Sequence, residues 1–173
     1  MESVLGWLGE VARWVMNLVP HLQVVSVDEL AVKLVRGTRV VPLGPGLHWY
    51  WPVVTDWRDC TAVRTVLATD DQHLVTQDGR VVALSALVAF SVVDQVAYLV
   101  DNQDADDNIE DLTMAAVRLV VARHSYQDLI EQGRQLDEKL ATRVRRDVKD
   151  FGVAVETVRL TGIAPARVIY LLN

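Results

Sequence analysis

The sequence predicts an α+β fold in which a twisted antiparallel sheet comes first, helices follow and one strand returns. Three observations carry this. Short runs with strand periodicity fill residues 24–93, helical periodicity takes over from 94 to 151, and Val153–Ile163 is again a strand run. Strands, then helices, then a strand describe segregated layers rather than alternating βαβ units.

The chain has 173 residues, enough for one domain with a proper core. Hydrophobic residues make up 51% and charged residues 23%, a globular composition with a slight apolar excess. The formal net charge of −6 argues against a nucleic-acid partner held by a broad basic face. One cysteine, Cys60, excludes an intrachain disulfide and suits a reducing compartment.

Taken in order, the first element is an amphipathic helix. Val4, Trp7, Leu8, Val11, Trp14, Val15, Leu18 and Val19 recur at i, i+3, i+4, i+7 spacing, and Pro20 ends the pattern. Such a helix is about 24 Å long, short of the ~30 Å hydrocarbon core. Glu10 and Arg13 add a mid-helix cost to spanning, so lying in the interface plane is the cheaper membrane arrangement. Packing on a sheet or on a partner helix is the alternative. An acid at Glu2, where a signal peptide carries Lys or Arg, argues against a secretory leader.

Val24–Val27 and Leu30–Val35 read as strands, and Gly37 turns the chain into a hairpin partner at Arg39–Val41. Pro42-Leu43-Gly44-Pro45-Gly46-Leu47-His48-Trp49-Tyr50-Trp51-Pro52 follows. Gly44-Pro45-Gly46 forces a tight turn, because Pro fixes φ and Gly admits positive φ. Leu47, Trp49 and Trp51 then alternate with His48 and Tyr50, the period of a half-buried strand. Aromatics of this kind suit either a sheet core or a water–lipid boundary. Trp57–Leu67 is expected to be one strand run and Gln72–Thr76 the next. Asp78-Gly79 matches a type I′ hairpin turn, and Val81–Val93 reads as a central strand covered on both faces.

Asp94 is expected to cap a short helix through Val100. The acidic run of residues 101–111 leads into a second helix ending near Arg123-His124, and a third runs from about Tyr126 to Phe151, stopped by Gly152. On the third, Leu129, Leu136, Leu140, Val144, Val148 and Phe151 form an apolar stripe. Arg134/Glu138, Arg143/Asp147 and Arg146/Asp150 stand at i, i+4, worth roughly 0.2–0.5 kcal/mol per pair. This balanced charged face suits solvent or a neighbouring subunit of complementary sign.

No constellation points to catalysis, a metal or a cofactor. Counted as a calcium loop from Asp104, the positions that need Gly and Glu hold Ile109 and Ala115. Acids there complement a helix N-terminus. His21, His48, His73 and His124 lack ligand-spaced neighbours, Cys60 reads as core, and neither a phosphate loop nor a serine elbow is present. An enzyme is not expected.

Taken together, these segments resemble the SPFH or Band 7 family of stomatin, prohibitin, flotillin and HflK/HflC. Val27–Lys33, Gly37 and Gly44–Pro52 match its opening pattern, and Thr76-Gln77-Asp78-Gly79 its hairpin. Leu129–Arg134 and Phe151-Gly152-Val153-Ala154-Val155 match its charged helix and stop, and Val158–Pro165 its closing strand. The resemblance covers about residues 24–168, leaving residues 1–22 as an amphipathic membrane-associating helix and 169–173 as a short tail. It implies a homo-oligomeric, non-enzymatic scaffold, peripheral or monotopic on membrane lipids, which organises microdomains or regulates a membrane protease or channel. Trp7, Leu8, Val11, Trp14, Val15, Leu18, Trp49, Tyr50 and Trp51 become the expected membrane contacts, and Arg134, Glu138, Arg143 and Asp147 the expected subunit interface. The competing expectation is a soluble adaptor that docks on a partner protein through its N-terminal helix.

Overall fold

The computed structural model describes Glu10 and residues 19–166. The expected N-terminal helix, with Trp7, Leu8, Val11, Trp14, Val15 and Leu18, lies outside the described residues, as does the tail at 169–173. The chain forms two compact units that divide between Ala62 and Val63.

Residues 19–62 of the first unit hold strands and turns only. Strand β1 (His21–Val25) pairs antiparallel with β4 (Gly46–Tyr50), and β2 (Glu29–Val35) runs between β3 (Arg39–Leu43) and β5 (Thr55–Thr61). Ala31 and Val32 of the central strand are fully buried, with Val25 beside them in the core. The β2–β3 loop spans residues 36–38, with Arg36 and Gly37 at φ of 52° and 68° and Thr38 N–H bonded to the Val35 carbonyl at 3.2 Å. That is a type I′ turn, whose backbone twist matches that of the strands. Gly46, at φ of 140°, adopts a conformation that only glycine takes easily, and the chain passes there from its β2 partner to its β1 partner.

The expected single strand from Trp57 to Leu67 is two strands. Strand β5 ends at Thr61 and β6 (Thr65–Ala68) begins afresh, because the run changes partner from β2 to a strand of the second unit. In that unit β8 (Val81–Val92) is the spine. On one side it pairs β6 and then β7 (Gln72–Val75), end to end; on the other it pairs β9 (Val153–Pro165). Val82, Leu84, Ala86, Val88, Phe90 and Val92 are buried, but Val81, Ala83, Ser85 and Ser91 are half-buried and Leu87 is exposed. Ala89 on the second face is buried too, so β8 is fully covered on one face and partly covered on the other, where small alanines and serines carry much of its apolar run.

Asp94 does cap a short helical stretch: its Oδ1 accepts from the amides of Val96 and Ala97, and π-helical geometry continues through Ala97–Asp101. Helix α1 (Ala105–Val121) then buries Ile109, Ala116, Val117 and Val121 against the sheet. The expected helix from Tyr126 to Phe151 is broken into α2 (Tyr126–Glu131), α3 (Gly133–Asp147) and a 3-10 turn (Lys149–Phe151). The first break falls at Gln132-Gly133, where glycine gives least support to a continuous helix. The stripe survives it: Leu129, Leu136, Leu140, Val144 and Val148 are all buried, and Phe151 is half-buried. Helix α3 lies against α1 and β9, completing a sheet with one helical layer. The order of layers is that of the α+β fold expected from the sequence.

The Asp-Gly hairpin is real, but its turn is not type I′. Only Gly79 has positive φ; its N–H bonds the Thr76 carbonyl at 3.0 Å, and Thr76 N–H bonds the Arg80 carbonyl at 2.9 Å. This is a three-residue loop closed by a glycine bulge. Asp78 keeps negative φ because its carboxylate is committed, accepting from the Thr76 hydroxyl and from the Tyr126 amide.

Candidate functional site

The β1–β4 ribbon has two unlike faces, set by strand alternation. In its register Leu22 opposes Trp49 and Val24 opposes Leu47, so these four side chains share one face. They are 45%, 61%, 61% and 58% exposed, in the order Leu22, Trp49, Val24, Leu47. Trp51 and Val53 extend the same apolar character into the following turn, which Val54 N–H closes onto the Trp51 carbonyl at 3.1 Å. Pro52 stands second in that turn, where its fixed φ fits. A face of two tryptophans and three or four aliphatics, with no charged member, is larger than the scattered apolar residues normal on a surface.

The opposite face is aromatic and partly enclosed. Tyr50 stacks on Trp57 with centroids 5.7 Å apart, and His21 lies 5.8 Å from Tyr50. His48 lies 6.5 Å from Trp57, and its Nε2 is 2.8 Å from the Gly44 carbonyl. Tyr50 is therefore placed with the half-buried aromatics, across the strand from Trp49 and the exposed face. Lys33 fixes the ribbon's end by donating from Nζ to the Trp49 carbonyl at 2.8 Å. Trp57 belongs to this inner cluster as well.

The four expected interface residues separate into two places. Arg134 and Glu138 line a groove between α3 and β9, together with Asp137, Arg145, Glu156 and Arg159. There Arg145 Nε donates to the Val155 carbonyl at 2.7 Å, and Asp137 accepts from the Leu160 amide at 3.0 Å. No ion pair joins Arg134 to Glu138 among the described residues. Arg143 and Asp147 pair at 3.4 Å on the side of α3 that meets the end of α1. Arg146 turns to the same Asp147 at 3.3 Å instead of the expected Asp150, which sits near Lys149.

The remaining polar clusters are architectural. Hydrogen bonds from the Thr76 hydroxyl and the Tyr126 amide, with Arg80 at 3.2 Å, hold Asp78 below the usual carboxylate range. Asp128 is lowered likewise by the Ser125 hydroxyl and amide, as the second half of a capping box. In the acidic run Asp106 accepts from the Tyr98 hydroxyl and Glu110 from the Asp70 amide. No group of three or more metal-ligating side chains occurs among the described residues. No helix among them is long and apolar enough to cross a membrane.

A family model for the SPFH domain / Band 7 family matches residues 23–170. The chain belongs to the SPFH/Band 7 family. Similar proteins include Stomatin-1 of Caenorhabditis elegans, 20% identical over 127 residues that cover 72% of this chain and 38% of that protein. Protein HflK of Haemophilus influenzae is 27% identical over 116 residues, covering 66% and 28%. An uncharacterized protein of Archaeoglobus fulgidus is 21% identical over 157 residues, covering 91% and 63%. This SPFH chain thus spans from 28% to 63% of the length of these relatives.

Proposed function

We infer that this chain is a membrane-associated, self-associating scaffold subunit of the SPFH/Band 7 type. It rests on the bilayer through the outer face of the β1–β4 ribbon together with the N-terminal segment. In this reading it performs no chemistry of its own; it organises the surrounding membrane or regulates a membrane protease or channel. The single observation that carries the reading is the uncharged, exposed face of Leu22, Val24, Leu47 and Trp49, extended by Trp51.

The energetics fit a peripheral attachment. Fully burying such a side chain is worth about 1.5–3 kcal/mol, and these residues have about half of that still to gain. Five of them supply several kcal/mol, enough for reversible docking and too little for permanent residence by one copy. Electrostatic attraction adds little, because residues 19–62 hold four acids and four bases. Self-association then multiplies weak contacts into avidity, which links the scaffold to its membrane attachment.

Flotation of the purified chain with liposomes tests this. The full chain is expected to float. Removing residues 1–20 and replacing Trp49 and Trp51 by Asp should each reduce flotation, and together abolish it. A truncated form that floats as well as the parent removes residues 1–20 from the attachment. A full chain that stays in the soluble fraction and captures one stoichiometric protein without lipid replaces this reading with that of a soluble adaptor.

A further inference from the structure

The second unit carries its charge unevenly along one exposed helix face. On α1, Asp107 and Asp111 stand four residues apart on one exposed face that continues through Ala115 to Arg118, and exposed Asp104 is the residue that precedes the helix. None of the three acids makes an ion pair or side-chain hydrogen bond among the described residues, in contrast to Asp106 and Glu110. Beyond the other end of α1 lies a pocket of about 440 Å³ lined by Arg123, His124, Lys139, Arg143 and Arg146, with Leu119 and Val120. No acid lines it, in a protein of net charge −6.

The pocket is short of partners. Arg143 and Arg146 share one carboxylate, Asp147. Arg143 Nε is buried, and the Asp147 carboxylate 3.4 Å away pairs with it by charge without completing a hydrogen bond. His124 is 2.7 Å from the Val120 carbonyl through Nδ1, which leaves Nε2 to accept from Lys139 at 3.5 Å. Arg118 and Arg123 have no acid partner among the described residues. The unpaired acids cannot satisfy this pocket in their own chain, because the helix holds the two ends about 21 Å apart.

We propose that this basic pocket receives the acidic α1 start of a second copy of the chain, so that copies associate head to tail. The proposal rests on the self-association inferred above and assigns it a surface. Such a contact is heterologous and extends into a ring or an open array rather than a closed two-fold dimer. Exposed Leu119 and the half-buried Val120 provide apolar contact, while the opposed charges set polarity and register and supply the salt-sensitive part of the association.

Sedimentation of the full chain at low and high salt tests it, since surface charges are screened beyond about 8–10 Å at physiological ionic strength. Association is expected to weaken about tenfold or more at high salt. Asp107→Lys with Asp111→Lys, and separately Arg123→Glu with Lys139→Glu, should each abolish it. All four positions are exposed, and circular dichroism verifies the fold. Mixing the two variants, or combining all four changes in one chain, should restore association. Association that ignores both salt and the reversals overturns this contact while leaving the scaffold reading intact. A parent chain that is monomeric at every concentration and salt overturns self-association itself.

Discussion

The carbonyl oxygen of Gly152 accepts hydrogen bonds from the amides of both Val93 and Asp94, at 2.9 Å each. Gly152 sits at φ of 72°, and a Cβ there would overlap the Asp94 carbonyl oxygen and crowd Ala97. The end of β8, the cap of the next helical turn and the start of β9 thus meet at one residue with no room for a side chain. Gly152→Ala is expected to destabilise the second unit by about 2–5 kcal/mol, combining left-handed strain with displacement of backbone. Urea denaturation followed by far-UV circular dichroism measures it.

Arg36 is the converse case. It holds φ of 52° in the type I′ turn although it has a side chain, and its amide donates to the Val54 carbonyl at 2.7 Å. Asparagine keeps that amide and tolerates the left-handed region better. Arg36→Asn is therefore expected to stabilise the first unit by about 0.5–1 kcal/mol. A higher denaturation midpoint at unchanged slope checks it.

The two faces of β4 respond differently to a charge. Trp49→Asp should leave the thermal midpoint nearly unchanged, since its side chain is exposed. Tyr50→Asp should lower it by burying a carboxylate against Trp57 and His21, at a cost of about 1–3 kcal/mol. Only the first should reduce flotation without reducing stability. A loss of stability in both variants would place Trp49 in the core.

Acid should loosen the second unit through two identified groups. Asp78 and Asp128 both have carboxyls held below the ordinary aspartate range by hydrogen bonds made in the folded state, chiefly from the Thr76 and Ser125 hydroxyls. A depressed carboxylate contributes stability that is complete above its unfolded value and is lost as pH falls through the folded value. Stability is therefore expected to be flat above about pH 5 and to decline below about 4. Asp78→Asn and Asp128→Asn should lower stability at neutral pH and flatten the acid limb, as read from denaturation midpoints between pH 3 and 7.

Much of this architecture was legible because it is written in local chemistry. Alternation at Leu47–Trp51, the cap at Asp94, the stripe from Leu129 to Val148 and the stop at Gly152 all appear as expected. The misreadings arose where a partner decides. Residues 57–67 have strand character throughout, and only the change from β2 to β8 pairing divides them. Asp78-Gly79 favours a type I′ turn in isolation, but the Tyr126 amide, 48 residues away, draws Asp78 into another geometry. Val81–Val93 resembles a strand buried on both faces because alanine and serine tolerate exposure without announcing it. Of the candidate surfaces, the tryptophans were evident from composition. The basic pocket was not, since its residues come from α3 and from beyond the end of α1, and periodicity within one helix does not reveal it.

Asp78 has a mechanical consequence for the domain. Its carboxylate receives the Tyr126 amide while the neighbouring Gln77 amide donates to the His124 carbonyl, and Arg80 lies over the Tyr126 ring at 5.6 Å. Hydrogen bonds running in opposite directions therefore rivet a hairpin tip to the entrance of a helix. Neither end can fray alone. Hydrogen exchange at Gln77 and Tyr126 should report one shared opening, and the helical layer, if it peels from the sheet, must begin peeling elsewhere.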